Sequence, residues 1–281
     1  MMNILTFDIE DWYNCDFISE DFAWDKFDYC VDKAIAPVLE ELDRRGLKGT
    51  FFCLGWLAEK HPELIRDIAS RGHQIGCHSY QHELSFRFTP EQFVADTLHA
   101  KSLLEDVTGS SVDVFRAPGF SITENNPWAI DCLVDMGFKY DCSVFPAAHD
   151  YGGMPRYGVA EPTWVETASG KRIKEFPINI HQLAGRNFVF SGGGFFRFFP
   201  YPLIRRWARE SAYMMTYFHP REFDPSTPRV SSLPLMRKFK TYVNVKGNFS
   251  KWKKLLDDFA FVNVAEADQL IDWEKQRVVK L

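Results

Sequence analysis

His78 and His82 stand four positions apart in His78-Ser79-Tyr80-Gln81-His82, directly after the apolar run Gln74-Ile75-Gly76-Cys77. On one helical turn or in a tight loop, that spacing turns both rings to the same side. Imidazole is the commonest protein ligand for a borderline cation such as zinc, and two imidazoles leave such a site one or two ligands short. A second polar concentration, Asp8-Ile9-Glu10-Asp11, follows the buried-strand pattern Asn3-Ile4-Leu5-Thr6-Phe7. Three carboxylates in four residues at a strand end are costly unless a cation lies beside them. A solvated turn would account for the acids alone, and surface or core histidines for the pair alone. Together they point to a metal centre whose third ligand is a carboxylate.

The elements that must bring these residues together are read from periodicity. Strands are expected at 3–7, 49–54, 74–77, 112–115, 138–141, 173–176, 214–218 and 261–264. Helices are expected over about 29–45, 58–70, from Pro90 onward, 127–136, 202–210, 249–259 and 265–273. In the first of them Val31, Ile35, Val38, Leu39 and Leu42 share a face, and Gly46 ends it. Thr89-Pro90 is a cap and first-turn pair, and that helix carries Phe93, Leu98, Leu103 and Leu104. Strand–helix alternation of this kind predicts an α/β fold with a mainly parallel sheet or barrel. Residues 145–194 read as irregular, and Gly192-Gly193-Gly194 as a turn where a side chain does not fit. No linker divides the chain, so the expectation is one domain over 1–281, with an elaborated middle and a C-terminal extension.

Composition narrows the function. At 281 residues and 46% hydrophobic, the chain can bury a large core without staples. Its 26 Phe and 8 Trp are many, and some are expected to line a cleft. A net charge of −5 without a basic tract argues against nucleic acid as a partner. Cys15, Cys30, Cys53, Cys77, Cys132 and Cys142 show no CxxC spacing, and Met1-Met2-Asn3 shows neither a basic nor an apolar leader. The expectation is a cytoplasmic protein with free thiols and no transmembrane segment.

In a parallel barrel, the loops at the strands' C-terminal ends build the site. Asp8, Glu10, Asp11, His78, His82, Arg116, Asp141 and His219 all fall at such ends. Five of these segments also carry a resemblance: Thr6-Phe7-Asp8-Ile9-Glu10-Asp11, His78-Ser79-Tyr80-Gln81-His82, Arg116-Ala117-Pro118-Gly119, Tyr140-Asp141-Cys142-Ser143 and Phe218-His219. In this order they resemble the five motifs of the NodB-type polysaccharide deacetylases, a carbohydrate esterase family. Gly192-Gly193-Gly194-Phe195-Phe196-Arg197 and Phe218-His219-Pro220-Arg221-Glu222-Phe223-Asp224 are similar to the branch found in bacterial exopolysaccharide loci.

The resemblance implies a distorted (β/α)7 barrel and metal-dependent removal of N- or O-acetyl groups from a sugar. It makes Asp8 the general base and places His78, His82 and Glu10 on the metal, with Asp11 competing for Glu10's place. The metal is zinc, or cobalt, nickel or iron, which two nitrogens and one oxygen also suit. Such an ion polarises the carbonyl and lowers the pKa of bound water to about 7. Arg116 pairs with Asp8; His219 is the general acid, oriented by Asp141; a backbone N–H near Ser143 helps to hold the oxyanion. His61, His73, His99, His149 and His181 are read as structural or surface residues, and Phe120, Trp128, Tyr140 and Phe195 as possible sugar platforms. The implied substrate is an acetylated glycan, as polymer or on a lipid or nucleotide carrier. A deformylase or cyclic amidase, and a silent glycan-binding module, remain as other readings.

Overall fold

In the computed structural model, described for residues 1–15, 18, 22–148, 151–183 and 185–281, the opening strand serves two neighbours. Met2–Ile4 (β1) pairs in parallel with a late strand, and Thr6–Ile9 (β2) pairs with the next one in sequence. The fully buried pattern of β2 fits a strand covered on both faces. Val31–Arg45 (α1) follows and stops at Gly46, whose φ of 65° is left-handed backbone that favours glycine. After Thr50–Cys53 (β3), the helix expected over 58–70 proves to be two, Gly55–Lys60 (α2) and Pro62–Ser70 (α3). Pro62 has no N–H to continue the first helix, and its fixed φ starts the second.

Gln74–Cys77 (β4) leads to Pro90–Thr108 (α4), whose start is a reciprocal cap between Thr89 and Gln92. Phe93, Thr97, Ala100 and Leu104 form the buried face of α4, at helical spacing. Leu98 lies off that face and is exposed, contrary to expectation. Val114–Phe115 (β5), Trp128–Asp135 (α5) and Tyr140–Asp141 (β6) complete the regular alternation.

The stretch read as irregular contains more order than its sequence showed. Thr163–Glu166 (β7) runs antiparallel to Arg172–Glu175 (β8), and His181–Leu183 (β9) pairs with Arg186–Phe188 (β10). The glycine run opens a short helix, Gly193–Phe198 (α6), and is not an isolated turn. A Cβ on Gly192 would lie 2.0 Å from the Tyr217 carbonyl oxygen, so the reading that no side chain fits there holds. Tyr201–Glu210 (α7), Tyr213–Met215 (β11), Leu235–Tyr242 (α8), Val245–Asp258 (α9), Val264–Leu270 (α10) and Val278–Lys280 (β12) follow. The strand expected at 261–264 shrinks to one bridge, Val262 to Ile4, because Asn263 caps α10 with Glu266.

The main sheet has the order β12-β7-β8-β6-β5-β4-β3-β2, parallel from β8 to β2. β11 closes against β1, and Phe218 continues that pairing opposite Phe7. Seven staves thus form a (β/α)7 barrel. Its distortion lies between β8 and β11, where side chains span the gap: the Met215 N–H donates to Asn179 Oδ1 at 3.0 Å, and the Tyr213 hydroxyl donates to the Pro177 carbonyl. The core is strongly aromatic, with Phe7 stacked on Phe51 at 4.8 Å and Trp252 fully buried. The six cysteines are free.

His73 gives the fold a pH dependence. Its ring is buried over Phe51, and Nδ1 accepts the Gly49 N–H at 3.3 Å. Burial, aided by Lys48, pushes its pKa down to about 4. The unfolded chain takes up this proton near 6.5 and the folded chain only near 4. The contribution is therefore complete above about pH 6.5 and is lost as pH falls toward 4, a swing of about 3 kcal/mol. Urea midpoints measured between pH 7 and 4 should fall less steeply for His73→Asn, and an unchanged slope would exclude His73 as the cause.

Candidate active site

All the predicted site residues sit at the C-terminal mouth of the barrel or just beneath it. The Asp8 backbone N–H donates to the Phe218 carbonyl, and that of His78 to the Cys53 carbonyl, so the first stave is held in register with the last and the third with the second. The segment from His78 to His82 is a tight loop with positive φ at Ser79 and His82. Three anchors hold it: the Gly55 and Trp56 N–H groups bond to the Ser79 and Tyr80 carbonyls, the Tyr80 N–H donates to Asp96, and Ser79 Oγ accepts the His82 N–H. The two rings lie 5.2 Å apart.

Ligand-type atoms of Glu10, His78 and His82 lie within 4.8 Å of one another, and all three residues are buried. His82 Nε2 is 2.7 Å from Glu10 Oε2. His78 Nδ1 faces the Arg116 carbonyl oxygen at 2.8 Å. A carbonyl only accepts, so Nδ1 carries the proton and Nε2 keeps its lone pair, the arrangement of a metal-ligating histidine. Burial pushes the His78 pKa down to about 4, which keeps that lone pair available. Two imidazoles and a carboxylate are a donor set that fits zinc or a similar divalent ion.

Asp11 does not compete for this place. Its carboxylate accepts the N–H groups of Cys30 and Val31 at 2.6 and 3.0 Å, putting a negative charge at the N-terminus of α1. It also accepts the Trp12 N–H.

Asp8 and Arg116 form a buried pair, Oδ1 to the guanidinium at 2.6 Å. Arg116 is fully buried, lies 4.1 Å over the Phe52 ring, and donates to Thr6 Oγ1 and the Cys142 carbonyl. Burial drives the Asp8 pKa up, but Arg116, His78 and His219 outweigh it and hold the carboxyl below its usual value. His219 Nε2 stands 3.8 Å from Asp8 Oδ2 and 3.4 Å from Glu10 Oε1, so Asp8, His219 and the cluster share one small space.

Two expectations need correction. Asp141 does not orient His219; Glu222 does, with Oε1 2.7 Å from His219 Nδ1. Asp141 instead accepts the Ser143 hydroxyl at 2.5 Å and lies beside Glu175 on the adjacent strand. Burial pushes both carboxyls up, and the Asp141 charge takes Glu175 further, well above its usual value, while a hydrogen bond from Glu175 offsets part of the rise at Asp141. The backbone N–H groups around Ser143 are also engaged: that of Cys142 on the Phe115 carbonyl, that of Val144 on Glu175, and that of Ser143 on Asp141.

The sequence reading assigned no role to Arg221, Glu222 or Arg197. Arg221 pairs with Glu10 Oε1, and Arg197 lies 3.5 Å from Glu222. The spacing from His219 to Glu222 was a usable signal, because residues three apart meet on a helical turn and Pro220–Glu222 is one. Arg197 gave no signal, being brought in from α6. Among the proposed platforms, Trp128 packs on Phe93 and Tyr140 donates to Asp268, so both serve the packing. Phe120 is buried against Tyr217, and Phe195 is exposed. His61 and His181 stack on Tyr29 and Trp207 and His73 packs at a tilt on Phe51, as structural residues do, while His149 lies outside the described residues.

Comparison with solved structures places this architecture in the barrel class of the family 4 carbohydrate esterases. A structure described as a putative polysaccharide deacetylase from Mycobacterium smegmatis superposes with a TM-score of 0.67 at 19% identity, covering 100% of this chain and 93% of that one. A CE4 family pseudoenzyme from Bacillus anthracis superposes at 0.51 with 13% identity, covering 94% and 64%. Residues 19–140 match the family model described as polysaccharide deacetylase. Residues 142–269 match a domain of unknown function, DUF3473. A peptidoglycan-N-acetylglucosamine deacetylase from Bacillus cereus is 32% identical over 107 residues, 37% of this chain and 39% of that protein. The chain spans less than half the length of this relative and of a second Bacillus cereus protein of the same description.

Proposed function

We propose that the protein is a metal-dependent hydrolase that removes N-acetyl or O-acetyl groups from a bacterial glycan, an exopolysaccharide or its carrier-linked precursor. The observation that carries this reading is the meeting of the Glu10–His78–His82 cluster with the Asp8–His219 pair in one buried space. Glu10, His78 and His82 would hold the divalent ion, which when bound supplies Lewis-acid polarisation of the acyl carbonyl and an activated water. Asp8 takes the proton of the attacking water. Arg116 keeps that carboxylate ionised and aimed. His219 protonates the departing sugar nitrogen or oxygen, and Glu222 fixes its ring so that Nε2 faces the space. The relatives named as deacetylases of N-acetylglucosamine support the acyl group chosen.

A second reading has one observation in its favour. The Arg221 guanidinium already sits on Glu10 and competes with a cation for that carboxylate, as it would in a silent glycan-binding module. Metal content decides. Protein stripped by a chelator and reloaded should retain a divalent ion through gel filtration, and His78→Ala/His82→Ala should retain none. Metal held by the double variant would remove the ligand assignment. Mass spectrometry of the released acid should show acetate from an N-acetylated oligosaccharide. Formate from a formamido sugar instead would mark a deformylase, and release of neither acid by the loaded protein would favour the binding module.

A further inference from the structure

Among the described residues, half of the large apolar side chains that face solvent lie on two helices packed together, α6 and α8. Phe195 and Phe198 project from α6, and Leu235, Met236 and Phe239 from α8, with the Phe198 and Phe239 rings 5.5 Å apart. Leu235 is 85% exposed and Met236 68%. α8 buries none of its own residues. It is held by its backbone: the Arg197 guanidinium donates to the carbonyls of Lys240, Thr241 and Val243. A helix fastened by its carbonyl end keeps its apolar side chains unspent.

Charge says what covers this face. Although the whole chain is net −5, residues 225–256 hold eight Lys or Arg and no Asp or Glu. Arg237, Lys238 and Lys240 flank the exposed Leu, Met and Phe directly. A second copy of the chain docking through this face would bring two such cationic surfaces together, which opposes a symmetric dimer. Apolar side chains ringed by Lys and Arg on a surface helix are complementary to one kind of surface above others, a bilayer with anionic headgroups. No helix of the described chain is long and apolar enough to cross a membrane, so the contact would be peripheral.

We propose that the α6–α8 face docks onto anionic phospholipid bilayers, with Leu235, Met236 and Phe239 entering the headgroup boundary and the neighbouring cations meeting lipid phosphates. Docking there sets the barrel mouth close to the membrane surface, because the guanidinium that fastens α8 also pairs with Glu222, the partner of His219. The proposal goes beyond the deacetylase reading and does not depend on it: none of the five apolar residues belongs to the catalytic cluster, and the test reads binding alone.

The full chain should co-sediment with phosphatidylcholine vesicles containing phosphatidylglycerol, much less with phosphatidylcholine alone, and less as salt rises. Leu235→Gln/Met236→Gln should lower the partition coefficient at least about tenfold while leaving the thermal midpoint unchanged, since both side chains are mostly in water. Lys238→Glu, a single charge reversal, should weaken binding to the anionic vesicles and leave the residual binding to neutral ones unaltered. Absence of wild-type binding to anionic vesicles overturns the proposal, as does a Leu235/Met236 double variant that binds like the wild type. Light scattering supplies a further check: self-association that this double variant abolishes, with no vesicle binding, would make the face an interface between copies and overturn the membrane assignment.

Discussion

Asp8→Asn should keep its bound metal and lose acyl hydrolysis by about three orders of magnitude, the range expected when a positioned general base is removed. Asparagine matches the size of aspartate, and Asp8 is not among the three ligand-type residues that cluster. Its amide has no basic oxygen to take the proton from water. The metal content of the variant, beside its kcat/KM for acetate release, separates the two roles. Activity within tenfold of wild type would mean that some other group, such as Glu10, is the base. Loss of metal together with activity would place Asp8 among the ligands.

Arg116→Leu should be the most destabilising single change at the site, at about 3–5 kcal/mol, because it leaves the Asp8 carboxylate buried without its partner. The sign with pH tests the cause. In the wild type, Arg116 helps to hold the Asp8 pKa below its usual value, so this contribution is present above the usual carboxylate range and lost in acid. Without Arg116, burial acts with less opposition and raises that pKa. A raised carboxylate pKa makes stability fall as pH rises, so the variant's deficit should be smaller near pH 4 than near pH 8. Asp8→Leu with Arg116→Leu should recover part of the loss, since no buried charge is left alone. Urea midpoints at the two pH values measure all of this, and a loss under about 1 kcal/mol with no pH trend would show that the pair is not what holds these staves.

The sequence announced most of what faces the barrel mouth, and for a physical reason. A strand buried on both faces is an unbroken apolar run, so the polar residue ending it stands out, as Asp8 does after Phe7 and His78 after Cys77. That logic located Asp8, Glu10, His78, His82, Arg116 and His219. It misassigned Asp141, because a polar residue at a strand end can also turn inward and pair with its neighbour, here Glu175. It assigned no role to Arg197 because a residue recruited from a distant helix leaves no local periodicity. Within 145–194 the strand expected at 173–176 is found as β8, while β7, β9 and β10 escaped for a related reason. Their burial is uneven, as in β7, where buried and half-buried residues alternate over only four positions. The split at Pro62 was visible in the sequence, and a continuous apolar face outweighed it.

The boundary between the two family matches, at residue 141, falls at the end of β6, a strand hydrogen-bonded to β5 on one side and β8 on the other. The first match holds His78, His82 and Arg116, and the second holds His219, Glu222, Arg197 and β11, while Asp8 and Glu10 come from the strand that precedes both and pairs with β11 through β1. Expressed separately, each portion would present raw sheet edges at both seams. Replacing the second segment would remove His219 and its partner Glu222 from the space beside Asp8. The two segments therefore share one wall of the barrel, and a change that shifts a strand on one side of the seam is felt by side chains on the other.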